Sequence, residues 1–151
     1  MSSPALSPEN TTILITQEIE VRASIEVTFA ALLEQLGPFN ETEVNKTMPM
    51  KLEAWPGGRW YRDLGDNNGH YWGTVQAIKK PALLEICGPL FMSNPVINNL
   101  QYRLKESRGV TLITFRHQGF GLILEEYRNA KQGWGHMHEK VKQRAEAPRS
   151  H

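Results

Sequence analysis

Few side chains in this sequence have the type and spacing for acid–base, nucleophilic or metal chemistry. His117 lies in an alternating run, on the same side as Ile113 and Phe115, so it points inward. Its ordinary pKa, near ~6.5, suits proton transfer. No convincing partner for it stands out; Tyr102 and Tyr71 are candidate neighbours across a sheet. His117 therefore reads either as a hydrogen-bonded core histidine or as the one candidate catalytic acid–base. His136 and His138 are two apart, and on a helix that separates them by about 200°. With His70 and His117 elsewhere, no metal-ligand spacing appears, and no metal or other cofactor is expected. Cys87 is the single cysteine, which excludes an internal disulfide framework and a multi-cysteine zinc site. It lies beside Glu85 in a short apolar run with no adjoining base, and reads as an inert small residue. There is no G-x-S-x-G, no phosphate-loop pattern around Gly57-Gly58, and no evident carboxylate pair.

The tryptophans say more. Trp134 stands between Gly133 and Gly135 in a helical pattern, where each glycine costs about 1 kcal/mol relative to alanine. Either the helix approaches the sheet closely there, with Trp134 in the core, or Trp134 walls a cavity and the glycines form a soft point. Trp55, Trp60 and Trp72 cluster near glycine-rich turns. They read as sheet packing, or as aromatics that rim a pocket or grip a partner.

These residues are positioned by a simple order of elements. From Thr12, Ile13, Ile15, Ile19 and Val21 alternate with Thr16, Glu18, Glu20 and Arg22, the period of a half-buried strand. Ser24 is placed as a helix N-cap, with Glu26 in the first turn. Ile25, Phe29, Leu32, Leu33 and Leu36 then follow at helical spacing, and Gly37-Pro38 ends the helix. The stretch from Phe39 to Thr47 is irregular, with room for a short helical turn. Strand-like runs follow: Met50 to Trp55, Arg59 to Leu64, His70 to Lys79, Leu83 to Gly88, Pro95 to Lys105 and Val110 to Gln118. Their turns are Pro56-Gly57-Gly58, Asp66-Asn67-Asn68-Gly69, Lys80-Pro81 and Ser107-Arg108-Gly109. In the Pro95 run, Val96, Leu100, Tyr102 and Leu104 share one side. Finally Tyr127, Ala130, Trp134, Met137, Val141 and Ala145 make one apolar stripe about 30 Å long, closed by Pro148.

Strands with one apolar face need a cover. The order predicts an α+β fold: a seven-stranded antiparallel sheet curled around the long C-terminal helix, with the first helix closing one end. Such a wrap leaves a cavity near its open end, of the kind that takes apolar small molecules. The alternation assigns its lining to Trp60, Tyr71, Leu100, Tyr102, Ile113, Phe115, His117, Trp134 and Met137. A β-bulge would reverse the faces of Trp60 and Tyr71.

Composition agrees with one globular domain. The chain has 151 residues, of which 40% are hydrophobic and 22% charged, and 17 basic residues face 16 acidic ones for a net charge of +1. That balance argues against nucleic acid as a partner. No apolar run is long enough to span a membrane, and Met1 to Asn10 lacks the basic start and apolar run of an export signal. A cytoplasmic protein is expected, and the acceptor-like triplets at Asn10, Asn40 and Asn45 read as coincidence. The domain is expected over residues 12–146, with a leader over 1–11 and a tail over 147–151. An exposed sheet edge or the tryptophan-rich end leaves room for a homodimer.

Several short motifs occur in a familiar order. They are Pro56-Gly57-Gly58-Arg59-Trp60, Gly73-Thr74-Val75, Lys80-Pro81 with Leu84-Glu85, the run Gly109 to Phe120, and Gly133-Trp134. In this order the chain, from Thr12 to Ala145, resembles the helix-grip superfamily, also called START-like or SRPBCC. Within it, it is most similar to the branch named after the activator of heat-shock-protein-90 ATPase. Members of that branch usually carry a tryptophan soon after the first helix; here the stretch reads Gly37-Pro38-Phe39-Asn40, which implies a different pocket at that point. The resemblance implies the helix-grip fold and a cavity. Its first functional implication is binding of a small hydrophobic or aromatic molecule. The alternatives it leaves are a cyclase-like or hydrolase activity using His117, and a chaperone-interaction module.

Overall fold

The computed structural model describes residues 11–42 and 45–148. The expected leader lies outside them, apart from Thr11, as does the end of the expected tail. Strand β1 (Thr12–Val21) leads into helix α1 (Ile25–Leu36). Six strands follow: β2 (Lys51–Leu52), β3 (Arg59–Gly65), β4 (Asn68–Lys79), β5 (Leu83–Gly88), β6 (Val96–Ser107) and β7 (Val110–Gly121). A 3₁₀ turn (Glu125–Asn129) runs into the final helix α2 (Ala130–Glu146). The strands form one sheet in the order β1-β7-β6-β5-β4-β3-β2, with every neighbouring pair antiparallel. The sheet curves around α2, and α1 packs beside α2; this is the helix-grip architecture.

Local chemistry explains the element boundaries. The Ser24 hydroxyl accepts the Val27 N–H at 3.2 Å and starts α1, and the Gly37 N–H ends it on the carbonyls of Leu33 and Glu34. The β3–β4 and β6–β7 hairpins close on two residues each, Asp66-Asn67 and Arg108-Gly109. All four have positive φ, the mirror-image turn that matches the right-handed twist of paired strands. Each residue of the Gly58-Arg59-Trp60 motif has a task. A Cβ on Gly58 would overlap the Glu53 carbonyl. Arg59 forks onto the Glu53 carboxylate at 2.9 and 3.0 Å, which holds that carboxyl down near pKa 2. The Trp60 indole donates to the Leu36 carbonyl at 2.8 Å and ties β3 to the end of α1.

Two details depart from the sequence reading. The stretch after α1 makes no helical turn in its described residues. It folds back instead, with Glu41 bridged to Thr47, the Thr42 N–H bonded to the Lys46 carbonyl, and Asn45 at φ 59°. β2 is only two residues long: the Glu53 N–H still bonds the Arg59 carbonyl, but the Arg59 N–H goes to the Glu53 carboxylate instead of its carbonyl. In β1, β6 and β7 the alternation is kept: Ile13, Ile15, Val21, Leu100, Tyr102, Leu104, Ile113 and Phe115 are all buried on the concave face.

The close-approach explanation for the helix glycines does not apply to Gly135. A Cβ there would meet only Gln17 Nε2, at an ordinary 3.7 Å. Gly135→Ala is therefore expected to stabilise the protein by about 1 kcal/mol, raising the unfolding midpoint by about 2–4 °C. Gly58→Ala, which must displace backbone, is expected to lower it. Thermal unfolding of both variants beside the parent checks the opposite signs.

Candidate functional site

A cavity of about 490 Å³ lies at one end of the wrap. That is within the range of roughly 300–1,000 Å³ typical of small-molecule sites. One wall is the 3₁₀ turn and the first half of α2, through Tyr127, Ala130, Gly133, Trp134 and Met137. The facing wall is Leu36 at the end of α1, Met48 in the loop beyond, and Trp60 and Trp72 on β3 and β4. Phe91, from the loop between β5 and β6, closes the back. Glu41, Thr42, Glu126, Asn129 and Gln132 supply most of the polar lining.

The aromatic rings form one continuous surface. Trp60 meets Trp72 edge to face at 5.0 Å, and Trp72 meets Phe91 at 5.9 Å. Phe91 in turn meets Tyr127 at 5.6 Å and Trp134 at 6.1 Å. A bulge places Trp72 here. Trp60 pairs with Gly73 and Tyr61 with Tyr71, so Trp72 is the extra residue of β4. The same bulge corrects the expected inward face of Tyr71: it is 45% exposed on the outer side and hydrogen-bonded to Thr74. Trp55 is exposed as well and does not border the cavity.

Of the other residues assigned to the lining, Trp60, Trp134 and Met137 border the cavity. Leu100, Tyr102, Ile113, Phe115 and His117 do not; they are fully buried behind Trp134 and Met137. The reason is that α2 seats deep against the β1-β7-β6 part of the sheet. Phe115 packs on Trp134 at 5.0 Å and on His138 at 4.5 Å. His138 is inward-facing and nearly inaccessible, a position its separation from His136 did not suggest.

Two buried polar chains hold the helix down. In the first, the Trp134 indole donates to His117 Nδ1 at 3.0 Å, and His117 Nε2 meets Asn98 Oδ1 at 2.7 Å. Asn98 donates its amide to the Pro89 carbonyl at 3.2 Å. An indole N–H can only donate and Asn98 Oδ1 can only accept, so this network assigns the proton of His117 to Nε2. In the second, His138 Nδ1 donates to Gln17 Oε1 at 2.7 Å, Gln17 Nε2 donates to the Lys131 carbonyl, and Tyr102 donates its hydroxyl to His138 Nε2 at 2.9 Å. Both imidazoles are neutral and use both nitrogens. Burial lowers the pKa of His117 to about 4 and that of His138 to about 3, and raises that of Tyr102. His117 therefore has no free nitrogen to offer a ligand. Among the described residues no group of three or more His, Cys, Asp or Glu side chains is placed to hold a metal ion, and no helix is long and apolar enough to cross a membrane.

The family described as Activator of Hsp90 ATPase homolog 1-like protein matches residues 22–146. The chain belongs to this family. No functionally curated protein matches it. Solved structures share the fold of this family member at low identity. One is a protein from Chromobacterium violaceum, 15% identical, with a TM-score of 0.69 over 89% of this chain and 98% of that one. Another is the Aha1 dimer from Colwellia psychrerythraea, 14% identical, with a TM-score of 0.67 over 91% and 99%. A protein from Mesorhizobium loti is 17% identical, with a TM-score of 0.65 over 87% and 95%.

The buried histidines make stability depend on pH. Their folded pKa values lie below the ~6.5 of the unfolded chain, so the unfolded state takes up protons first as pH falls. The stability is present above about pH 6.5 and is lost progressively down to the folded values, about 4 for His117 and about 3 for His138, by about 2 kcal/mol per histidine between pH 7 and pH 5. Denaturant unfolding at these two pH values should show that drop, and His138→Gln should halve it. Gly119→Ala is a second check. A Cβ at 119 would overlap Asn98 Oδ1 and push it off His117, so the variant should lose about 1–3 kcal/mol at pH 7.

Proposed function

We propose that the protein binds a small, largely apolar molecule in the cavity between the β3–β4 end of the sheet and the first half of α2. The observation that carries this reading is the unbroken aromatic surface of Trp60, Trp72, Phe91, Tyr127 and Trp134 around a space of about 490 Å³. Rigid rings supply a large apolar contact at little entropic cost, and the polar groups at the mouth orient what enters. The acid–base role considered for His117 finds no support, because Trp134 stands between it and the cavity and both ring nitrogens are engaged.

The family's name favours a second reading, stimulation of an Hsp90-type chaperone ATPase. An ATPase assay with and without the protein discriminates it, and no stimulation at saturating concentration removes it.

Titration with the neutral fluorophore N-phenyl-1-naphthylamine tests the cavity. Saturable binding with quenching of tryptophan emission is expected, and Ala130→Trp, which fills the space from a half-exposed helix position, should weaken it at least tenfold. Unchanged binding by a folded Ala130→Trp variant would place the ligand elsewhere.

A further inference from the structure

The chemistry of the cavity wall narrows the class of ligand, and this step rests on the cavity reading above. All three tryptophans that border the cavity have their indole N–H committed to the protein. Trp60 donates to the Leu36 carbonyl at 2.8 Å, Trp72 to His70 Nδ1 at 3.0 Å, and Trp134 to His117 Nδ1 at 3.0 Å. What these residues offer the cavity is therefore ring surface rather than a donor, and an aromatic face carries negative electrostatic potential.

The full charges on the wall have the same sign. Glu41 and Glu126 border the cavity, and no lysine, arginine or histidine does so among the described residues. Neither carboxylate is in an ion pair among the described residues; the neighbouring Glu125 is the one that Arg128 approaches, at 3.8 Å. Asn40 adds an acceptor, since its amide nitrogen is bonded to the Met48 carbonyl and leaves its oxygen free to accept. The neutral donors present, Thr42, Tyr127, Asn129 and Gln132, are uncharged and cannot balance an anion. Nor does the start of α2 offer the cavity an uncompensated positive end. The 3₁₀ turn feeds directly into it, with the Ala130 N–H bonded to the Tyr127 carbonyl, and the positive end of the dipole falls at Glu125 and Glu126.

We propose that the cavity selects a hydrophobic cation: an amine or quaternary ammonium whose apolar body lies against the tryptophans and whose charge sits between Glu41 and Glu126. Cation–π attraction and the two carboxylates then act on the same charge. A carboxylate-bearing ligand of the same shape meets two negative groups and is excluded.

Three probes of one shape test this: 1-naphthylmethylammonium, 1-naphthalenemethanol and 1-naphthoate, titrated against the whole protein by calorimetry and tryptophan quenching at low and at moderate salt. The ammonium should bind about tenfold more tightly than the alcohol, with the naphthoate weakest, and added salt should narrow the gap. Glu41→Gln and Glu126→Gln should each weaken the ammonium several-fold more than they change the alcohol, so that the gap between the two narrows. If the alcohol or the naphthoate binds as tightly as the ammonium, or if neither glutamine variant changes the order, the charge selection is wrong while the cavity stands. If none of the three binds, the cavity reading falls as well.

Discussion

The structure depends on how α2 is seated. A helix laid in a curved sheet can slide or rotate cheaply when only apolar surfaces meet, since the hydrophobic effect has no direction. Here it cannot, because Trp134 and His138 each carry a polar atom into the core, and each has one partner set on the sheet. Trp134 must reach His117 on β7, and His138 must lie between Gln17 on β1 and Tyr102 on β6. A shift of one residue would strand four or more buried polar groups, each costing about 1–3 kcal/mol. The two chains thus fix the register of α2 against three strands at once. Gly119 belongs to the same device, since its missing side chain is what admits Asn98 beneath His117.

The cavity is a consequence of that seating. Anchored over the β1 side of the sheet, α2 fills the space above β1, β7 and β6, where Leu100, Ile113 and Phe115 are fully covered. It does not reach the β3–β4 end, which is roofed instead by the end of α1 and the loop after it. The same placement protects the sheet's long edge. β1 is an outer strand of ten residues, the kind of edge that invites pairing with another chain. Lys142 donates to the Glu20 carbonyl, Arg128 to the Thr12 carbonyl, and the Arg22 N–H is taken by Glu146, so α2 and the 3₁₀ turn before it cover the edge with charged side chains. The opposite edge, β2, is too short to template a partner.

The strands and the inward faces of β1, β6 and β7 follow from periodicity, the caps and turns from residue type, and the short motifs point to the family. The site was less legible, for two physical reasons. Periodicity finds apolar faces, and the residues that seat α2 are polar. Gln17 falls on an odd position among Ile13, Ile15, Ile19 and Val21, and Asn98 falls between Val96 and Leu100 in the inward register. His138 is four residues after Trp134 and three before Val141 on the apolar stripe. Each was a polar side chain in an inward position, and that was the available signal. The other reason is irregularity. The bulge that turns Trp72 inward and Tyr71 outward, and the loop that brings in Phe91, break the alternation on which a face assignment relies.

Stability is also distributed unevenly along α2, and the sequence explains why. Its second half is stabilised by an internal ion pair, Lys142 with Glu146 at 3.6 Å, joined to α1 by Arg144 and Glu34 at 3.4 Å, and anchored by Val141 and Ala145 in the core. Its first half begins on a 3₁₀ turn with no side-chain cap, carries both helix glycines, and has the cavity in place of packed side chains along one face. Weaker intrinsic propensity and fewer apolar contacts both lower the cost of local opening. What holds that half in place is the Trp134 indole on His117 and the Gln17 amide on the Lys131 carbonyl. The wall of the cavity is thus the part of the helix that rests most on the buried polar chains, and disturbing His117 or Asn98 loosens the cavity without touching a residue that lines it.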